Sequence, residues 1–141
     1  MKQFQIQLFK GHPIINDGEN RILIDTGAPL TIHASDSLIF CSESFRCSTN
    51  YMGLTVSKIS DMLGTEITTL LGADILSNYK ILLDYQNQLL EFSKQEIDID
   101  GTQVDISNFM GIPIIKMTVD TQELKFFLDT GAKLSYLSNG L

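Results

Sequence analysis

The four-residue word Asp-Thr-Gly-Ala occurs twice in this chain, at Asp25–Ala28 and at Asp129–Ala132. Each copy follows an apolar, strand-like run, Ile22–Ile24 in the first case and Phe126–Leu128 in the second. A strand that delivers a carboxylate into a tight glycine turn holds that carboxylate rigidly beside backbone N–H donors. Two such turns in one chain predict that two carboxylates face each other, which is an arrangement suited to acid–base hydrolysis.

The two words lie inside a longer duplication. The segment Pro-Ile-Ile occurs at 13–15 and again at 113–115, an offset of 100 positions, whereas the two aspartates are 104 positions apart. The hairpin of the second copy is therefore predicted to be longer than that of the first. Because the flanking residues match as well, a duplication at the scale of a domain is a better interpretation than a turn motif that recurs by chance.

A third segment, Leu70–Leu76, reads Leu-Leu-Gly-Ala-Asp-Ile-Leu and is followed by a strand–turn–strand pattern over Lys80–Phe92. With the two Asp-Thr-Gly words, this segment resembles the retropepsin/pepsin superfamily of aspartic proteases, and the chain is similar to bacterial retropepsin-like proteins. In that superfamily such a segment is a buried strand that runs into a short helix behind the catalytic loop.

The resemblance predicts a mainly β fold: a retropepsin/pepsin-like acid protease lobe, closed and barrel-like, with one or two short helices. It places this lobe at residues 1–95, a linker at 96–109, and the opening strands of a second, truncated lobe at 110–141. The linker prediction also rests on the polar stretch Ser93–Gly101.

The resemblance implies that Asp25 and Asp129 form a catalytic pair. Two carboxylates that share one proton can activate a water molecule and polarise the substrate carbonyl, because both cannot ionise at close range. Alanine in the fourth position of each word, where pepsins carry serine, predicts an activity optimum less acidic than that of pepsin. The residues that the resemblance assigns to the support of the catalytic loops are Thr26, Gly27, Ala28, Thr130, Gly131, Ala132 and Gly72.

Two functions remain open at this point. The first is an aspartic endopeptidase acting on peptides or proteins, with Asp25 paired to Asp129 or to Asp25 of a second chain. The second is a non-catalytic protein of the same fold that binds peptides or a partner through its cleft and strand edges. Exposed strands of the truncated lobe also predict a homodimer. We expect no cofactor and no metal, since the candidate ligands are few and scattered.

Charge and hydropathy exclude some classes of binding partner and location. Ten basic against seventeen acidic residues give a net charge of −7, which argues against nucleic acid. No apolar run is long enough to span a membrane, and the alternating N-terminal segment Met1–Gln7 reads as a strand rather than a secretory signal. We therefore expect a cytoplasmic protein. If Leu38–Cys41 and Phe45–Thr49 form a hairpin, Cys41 and Cys47 would be nearly opposite each other, and a disulfide between them is geometrically feasible. Without a signal peptide, two reduced, packed thiols are favoured.

The remaining pattern predicts β-strands and two short helices. Apolar residues recur at helical spacing from Val56 to Leu63, with Thr55 as the N-cap and Gly64 as the stop. A second short helix is expected at Asp74–Asn78, and strands are expected at Phe4–Leu8 and on both sides of the polar turn Asn16–Asn20.

Overall fold

The computed structural model describes residues 1–137, and these residues form a mainly β structure with two short helices, as the sequence predicts. The last residues of the predicted second-lobe segment, 138–141, lie outside the described residues. The strands are β1 (Lys2–Gln5), β2 (Gln7–Phe9), β3 (His12–Asp17), β4 (Asn20–Ile24), β5 (Ile32–His33), β6 (Ser37–Phe40), β7 (Glu43–Arg46), β8 (Thr69–Leu71), β9 (Lys80–Asp84), β10 (Leu89–Ser93), β11 (Ile106–Phe109), β12 (Ile112–Val119) and β13 (Gln122–Phe127). The helices are α1 (Val56–Leu63) and α2 (Ala73–Leu76).

The largest sheet has the strand order β2-β3-β4-β8-β5. Strands β2, β3 and β4 form an antiparallel meander, because the turns at Lys10-Gly11 and at Gly18 adopt the left-handed backbone that such short connections need. Strand β8 then returns beside β4 in the parallel direction and pairs Ile24 with Leu71. This parallel pair brings two distant parts of the chain to the end of β4, where Asp25 follows.

Both faces of the central meander are buried. Alternate residues of β3 and β4 point to opposite faces, so that Ile15 and Ile22 enter one core cluster while Ile14 and Leu23 enter another. The first cluster is closed by aromatic side chains, among which Phe40 packs edge-on against Phe92 at 5.0 Å between ring centroids. The second is closed by α1. Members of the first cluster are Phe4, Ile6, Ile15, Ile22, Ile24, Leu38, Phe40, Leu71, Ile75, Leu76, Leu90 and Phe92.

The expected closed, barrel-like lobe is not present among the described residues, which form four open sheets. Closure would require the edge strands β2 and β5 of the largest sheet to pair with each other, and they do not. The core is instead enclosed by packing separate layers, the sheet β1-β10-β9 and the hairpin β6-β7, onto one face. The predicted strand Phe4–Leu8 is correspondingly broken at Ile6, because β1 pairs with β10 whereas β2 pairs with β3.

Strands β11, β12 and β13 form a second antiparallel meander that repeats the register of the first. Phe9 pairs with His12 in the first meander, and Phe109 pairs with Ile112 in the second. The first strand of this meander, β11, lies within the segment predicted as a linker. Unlike the first meander, the second is largely exposed, and the exposed fraction of Phe127 is 58%.

Both predicted helices are confirmed. Thr55 accepts the N–H of Lys58 at the start of α1, and Gly64 ends the helix in the left-handed conformation with φ of 83°. Helix α2 begins at Ala73, one residue earlier than expected, directly after Gly72. Neither described helix is long and apolar enough to cross a lipid bilayer.

The interpretation of Cys41 and Cys47 as near-opposite residues of a hairpin is wrong. The register of β6 and β7 pairs Phe40 with Glu43, which places Cys41 in the turn. Cys47 lies beyond the other end of the hairpin, where its N–H donates to the carbonyl of Asp36 at 2.9 Å. Both thiols are free, and both pack against the first core cluster. The four residue pairs of the hairpin lie between the two cysteines, so the thiols are too far apart for an intramolecular disulfide in this fold.

Candidate active site

The first acidic loop is fixed from behind by β8. The N–H of Asp25 donates to the carbonyl of Leu71 at 3.0 Å, and the N–H of Ala73 donates to the carbonyl of Ala28 at 2.8 Å. Gly72 lies between these two bonds, and a Cβ atom there would be 2.6 Å from the carbonyl oxygen of Leu30. Only glycine permits this close approach of the two segments.

A polar relay strengthens this support. The buried hydroxyl of Thr31 accepts the N–H of Gly72 at 3.0 Å and donates to the carboxylate of Asp74 at 2.7 Å. Asp74 also accepts the N–H of Ile75 at the start of α2. Asp74 therefore has a structural part, and the part played by Thr31 was not predicted. The role of Thr31 could have been suspected from the repeat, because a small hydroxyl residue follows each Asp-Thr-Gly-Ala word at the same position.

The second acidic loop holds its own carboxylate in the same way but has less behind it. Gly131 and Ala132 both donate their N–H groups to Oδ1 of Asp129, at 2.9 and 3.1 Å. In the first loop the N–H of Gly27 donates to Oδ1 of Asp25 at 3.0 Å. Such N–H donors favour the charged carboxylate and fix its orientation.

The two loops are joined by reciprocal threonine contacts. The hydroxyl of Thr26 donates to the carbonyl of Leu128 at 2.5 Å and accepts the N–H of Thr130 at 3.0 Å. The hydroxyl of Thr130 donates to the carbonyl of Ile24 at 2.7 Å and accepts the N–H of Thr26 at 3.1 Å. The four hydrogen bonds form a pseudo-twofold pattern. Each threonine hydroxyl accepts the N–H of the other threonine and donates to the carbonyl that precedes the opposite aspartate.

The glycines of the two words complete this symmetry. A Cβ atom at Gly27 would overlap the carboxyl group of Asp129, and a Cβ atom at Gly131 would overlap that of Asp25. Each glycine thus gives the opposite carboxylate room to approach. The structure therefore brings together Asp25, Thr26, Gly27, Asp129, Thr130 and Gly131.

The pKa of the first carboxyl group is strongly affected by its surroundings. The pKa of Asp25 is raised from 3.8 to about 6, first by burial and then by the charge of Asp129, which also lies within hydrogen-bonding reach. The N–H groups of Gly27 and Ala28 lower this pKa, but they do not offset the other causes. Asp25 is partly buried and Asp129 is exposed. A pair with these properties can hold one proton at mildly acidic pH.

The alanines of the two words have different surroundings. Ala28 packs against the second core cluster, whereas Ala132 is exposed. One part of the duplication was missed in the sequence: Phe9-Lys10-Gly11 matches Phe109-Met110-Gly111 as well. Extending the Pro-Ile-Ile match toward the N-terminus would have found it.

Other polar features lie away from the acidic pair. In the described part of the chain, no three His, Cys, Asp or Glu side chains are grouped as metal ligands would be. Burial lowers the pKa of His33, whose Nδ1 lies 2.7 Å from the hydroxyl of Thr69. Two surface cavities of about 380 and 530 Å³ include residues of β1 and β10, and neither is lined by an aspartate of the pair.

Comparisons of the chain with protein-family models, with curated proteins and with solved structures gave no match. Function is therefore inferred from the geometry of the two acidic loops. That geometry consists of two carboxyl groups in contact, held by a reciprocal hydrogen-bond network and given room by paired glycines.

Proposed function

We propose that the chain is an aspartic-type endopeptidase that hydrolyses peptide bonds with a water molecule activated by Asp25 and Asp129. The observation that carries this proposal is the contact between the two carboxyl groups, which the crossed threonines Thr26 and Thr130 hold in place. Two carboxylates at this range repel each other, so a fold that forces them together does so at a cost in stability. Function is the simplest reason for such an arrangement to be built twice from one repeat.

The surroundings of Asp25 support the further proposal that residues 1–95 form a lobe of the retropepsin/pepsin superfamily. The parallel pair β4-β8, the close approach at Gly72 and the helix α2 behind the loop agree with what the resemblance implies. The open sheets differ from the closed lobe that was expected. The proposal consequently rests on the loop and its support rather than on the sheet order.

The chemistry follows from the shared proton. Asp25 is the more buried member and its pKa is raised, so we assign to it the hydrogen bond donated to the carbonyl oxygen of the peptide. Asp129, the exposed member, accepts a proton from the attacking water. The tetrahedral intermediate then collapses as the nitrogen of the leaving amine is protonated by the pair. No covalent link to the enzyme forms at any step.

The raised pKa sets the expected pH range. A single shared proton is lost as the pH rises through the pKa of Asp25, which is about 6. We therefore expect the rate of hydrolysis to fall above about pH 6 and to peak at a mildly acidic value. A peak near pH 2 would contradict the proposed role of the raised pKa of Asp25.

The test is hydrolysis of a diverse peptide mixture, followed by mass spectrometry between about pH 3 and pH 8. Cleavage in water enriched in ¹⁸O should place one label in each new carboxylate, and added hydroxylamine should trap no acyl intermediate. Asp25→Asn and Asp129→Asn should each lower the rate by about 10² to 10⁴. Asp61→Asn, which changes an exposed carboxylate on α1, is the matched control and should keep full activity. Equal rates in all four proteins would refute the proposal.

A non-catalytic binding protein is the second candidate, and the exposed second meander favours it. Within residues 1–137, strand β13 pairs only with β12, so its outer edge offers N–H and C=O groups to an extended peptide. The homodimer predicted from these exposed strands would use the same surface. Binding of an extended peptide that is unchanged by Asp25→Asn and Asp129→Asn, with no cleavage, would favour this candidate over the enzyme.

A further inference from the structure

Strand β10 carries a buried carboxylate on the face of its sheet that points away from the core. Leu90 and Phe92 enter the first core cluster, so the alternate residue Glu91 lies on the outer face, between Gln3 of β1 and Leu82 of β9. The exposed fraction of Glu91 is nevertheless only 6%. Its Oε2 accepts a hydrogen bond from Nε2 of Gln3 at 2.8 Å. Glutamate is seldom buried to this extent unless an opposite charge accompanies it.

In the described part of the chain, Glu91 has no positively charged partner. The lysine of β9, Lys80, pairs with Glu96, and the lysine that follows β10, Lys94, pairs with Glu43, each at 2.9 Å. Neither cation is therefore held by Glu91. Oε1 of Glu91, which forms no hydrogen bond with the residues that the structure describes, is available to a donor from outside the chain.

Glu91 lines a cavity of about 530 Å³, which lies within the range of volumes typical of sites for small organic ligands. The floor of this cavity is the outer face of the sheet, and its wall is the segment 95–99. Two contacts fix the wall where the chain leaves β10. The buried hydroxyl of Ser93 accepts the N–H of Gln95 at 3.0 Å, and the ion pair of Glu96 with Lys80 holds the segment beside β9.

The lining of the cavity indicates the chemistry of its ligand. Leu82, Ile97 and Ile99 supply apolar surface, which suits an alkyl chain. Among the described residues, Glu91 is not grouped with two further ligand side chains as a bound metal ion would require. A guanidinium group binds a carboxylate best through both oxygens, whereas an ammonium group needs only one. Because one oxygen of Glu91 already accepts from Gln3, an ammonium group fits better.

We propose that this cavity is a binding site for a primary aliphatic amine. The ammonium group donates to Oε1 of Glu91, and the alkyl chain lies against Leu82, Ile97 and Ile99. Gln3 keeps the carboxylate in place through its other oxygen. A free diamine and the lysine side chain of a peptide present the same group on a similar chain, so both have the required chemistry. The site is separate from the acidic pair and does not depend on the proposed function.

The experiment is isothermal titration calorimetry of the full chain at about pH 7 and low ionic strength. The three probes are cadaverine, lysine with both backbone ends blocked, and pentanol. We expect the unchanged protein to bind at least one of the two amines and not the uncharged alcohol. Tighter binding of cadaverine would identify a free diamine as the ligand, and tighter binding of blocked lysine would identify a peptide side chain.

Glu91→Gln removes the charge but keeps the size of the side chain and an oxygen that can accept from Gln3. It should weaken amine binding by about tenfold or more, because a hydrogen bond to a charged group is lost. Glu66→Gln, which changes an exposed carboxylate, is the matched control and should bind as the unchanged protein does. If Glu91→Gln does not fold, Ile97→Ser tests the same cavity from a segment outside the strands, and it should also weaken binding.

Three results would overturn the proposal. One is an unchanged protein that binds neither amine at concentrations on the order of millimolar. Another is equal binding of pentanol, because the charge would then play no part. The third is a folded Glu91→Gln variant, or in its absence a folded Ile97→Ser variant, that binds amines as the unchanged protein does. Calorimetry measures no cleavage, so each of these results leaves the proposed function standing.

Discussion

Replacing Asp25 by asparagine should stabilise the fold at neutral pH and have little effect in acid. The pKa of Asp25 is raised from 3.8 to about 6, with burial as the largest cause and the charge of Asp129 as the second. The folded chain therefore binds this proton more tightly than the unfolded chain does. Stability is then fully present at low pH and is lost as the pH rises from about 4 to a little above 6.

The size of the effect follows from the same two values. The interval between 3.8 and about 6, at about 1.4 kcal/mol per pH unit, corresponds to about 3 kcal/mol of lost stability above pH 7. Asparagine does not titrate in this range, and its side-chain oxygen can still accept the N–H of Gly27. The free energy of unfolding of Asp25→Asn should therefore exceed that of the unchanged protein by about 3 kcal/mol at neutral pH, relative to the difference in acid.

Urea unfolding at about pH 3 and about pH 7.5 measures this difference. With a denaturant slope of about 2 kcal/mol per molar urea, the midpoint of the variant should move up by about 1.5 M more at the higher pH. Asp61→Asn, an exposed change on α1, controls for loss of an ordinary carboxylate and should show no such growth. If the advantage of Asp25→Asn fails to grow with pH, the carboxyl group of Asp25 is not buried beside Asp129 in the folded chain and the reasoning is refuted.

Three further predictions concern the supports of the site and of the fold. Thr130→Ala leaves the N–H of Thr26 without its acceptor and should lower the free energy of unfolding in urea by about 1–3 kcal/mol, whereas Thr130→Ser keeps the hydroxyl and should lower it far less. Equal losses of stability would mean that the methyl group, and not the hydrogen bond, matters. Gly72→Ala forces a side chain against Leu30 and should lower both stability and hydrolysis, and an unaffected variant would show that β8 does not press on the loop. Thr55→Ala removes the N-cap of α1 and should cost about 1 kcal/mol by the same assay, while Thr55→Ser should restore most of it.

Local patterns in the sequence predicted the local structure well. Helix α1 begins after Thr55 and ends at Gly64 because the capping hydroxyl and the left-handed glycine act within a few residues of each other. The turn after Asp17 was also predictable, because a glycine lies between two strand-like segments. In the structure this glycine, Gly18, has a positive φ and connects β3 to β4. Such features depend on neighbours along the chain, which the sequence shows directly.

Features that depend on distant parts of the chain were less predictable. The break at Ile6 occurs because β1 and β2 pair in different sheets, and no residue nearby signals it. The placement of Cys41 and Cys47 failed for a related reason, since moving the hairpin register by a few residues changed which positions face each other. The open sheets, too, follow from layer packing rather than from any single strand.

The acidic site was predictable in its parts because the duplication placed equivalent residues in equivalent loops. Asp25, Asp129 and the two threonines were all identified from the repeated word, and the structure brings them together. The raised pKa of Asp25 was not predictable, because it depends mainly on burial, which follows from the core around the loop. Nor did the sequence show that Thr31 joins Gly72 to Asp74.

The β3-β4 and β12-β13 hairpins, which precede the two acidic loops, differ in length by an even number of residue pairs. Four cross-strand pairs lead from Ile14 opposite Leu23 to the first turn, and six lead from Ile114 opposite Phe127 to the second. Along an antiparallel pair of strands, hydrogen-bonded and non-hydrogen-bonded residue pairs alternate. Adding two pairs keeps the same type of pair next to the turn, whereas adding one pair would change it to the other type. Lengthening the hairpins in even increments therefore lets the far turn change while the two acidic loops at the base keep their alignment.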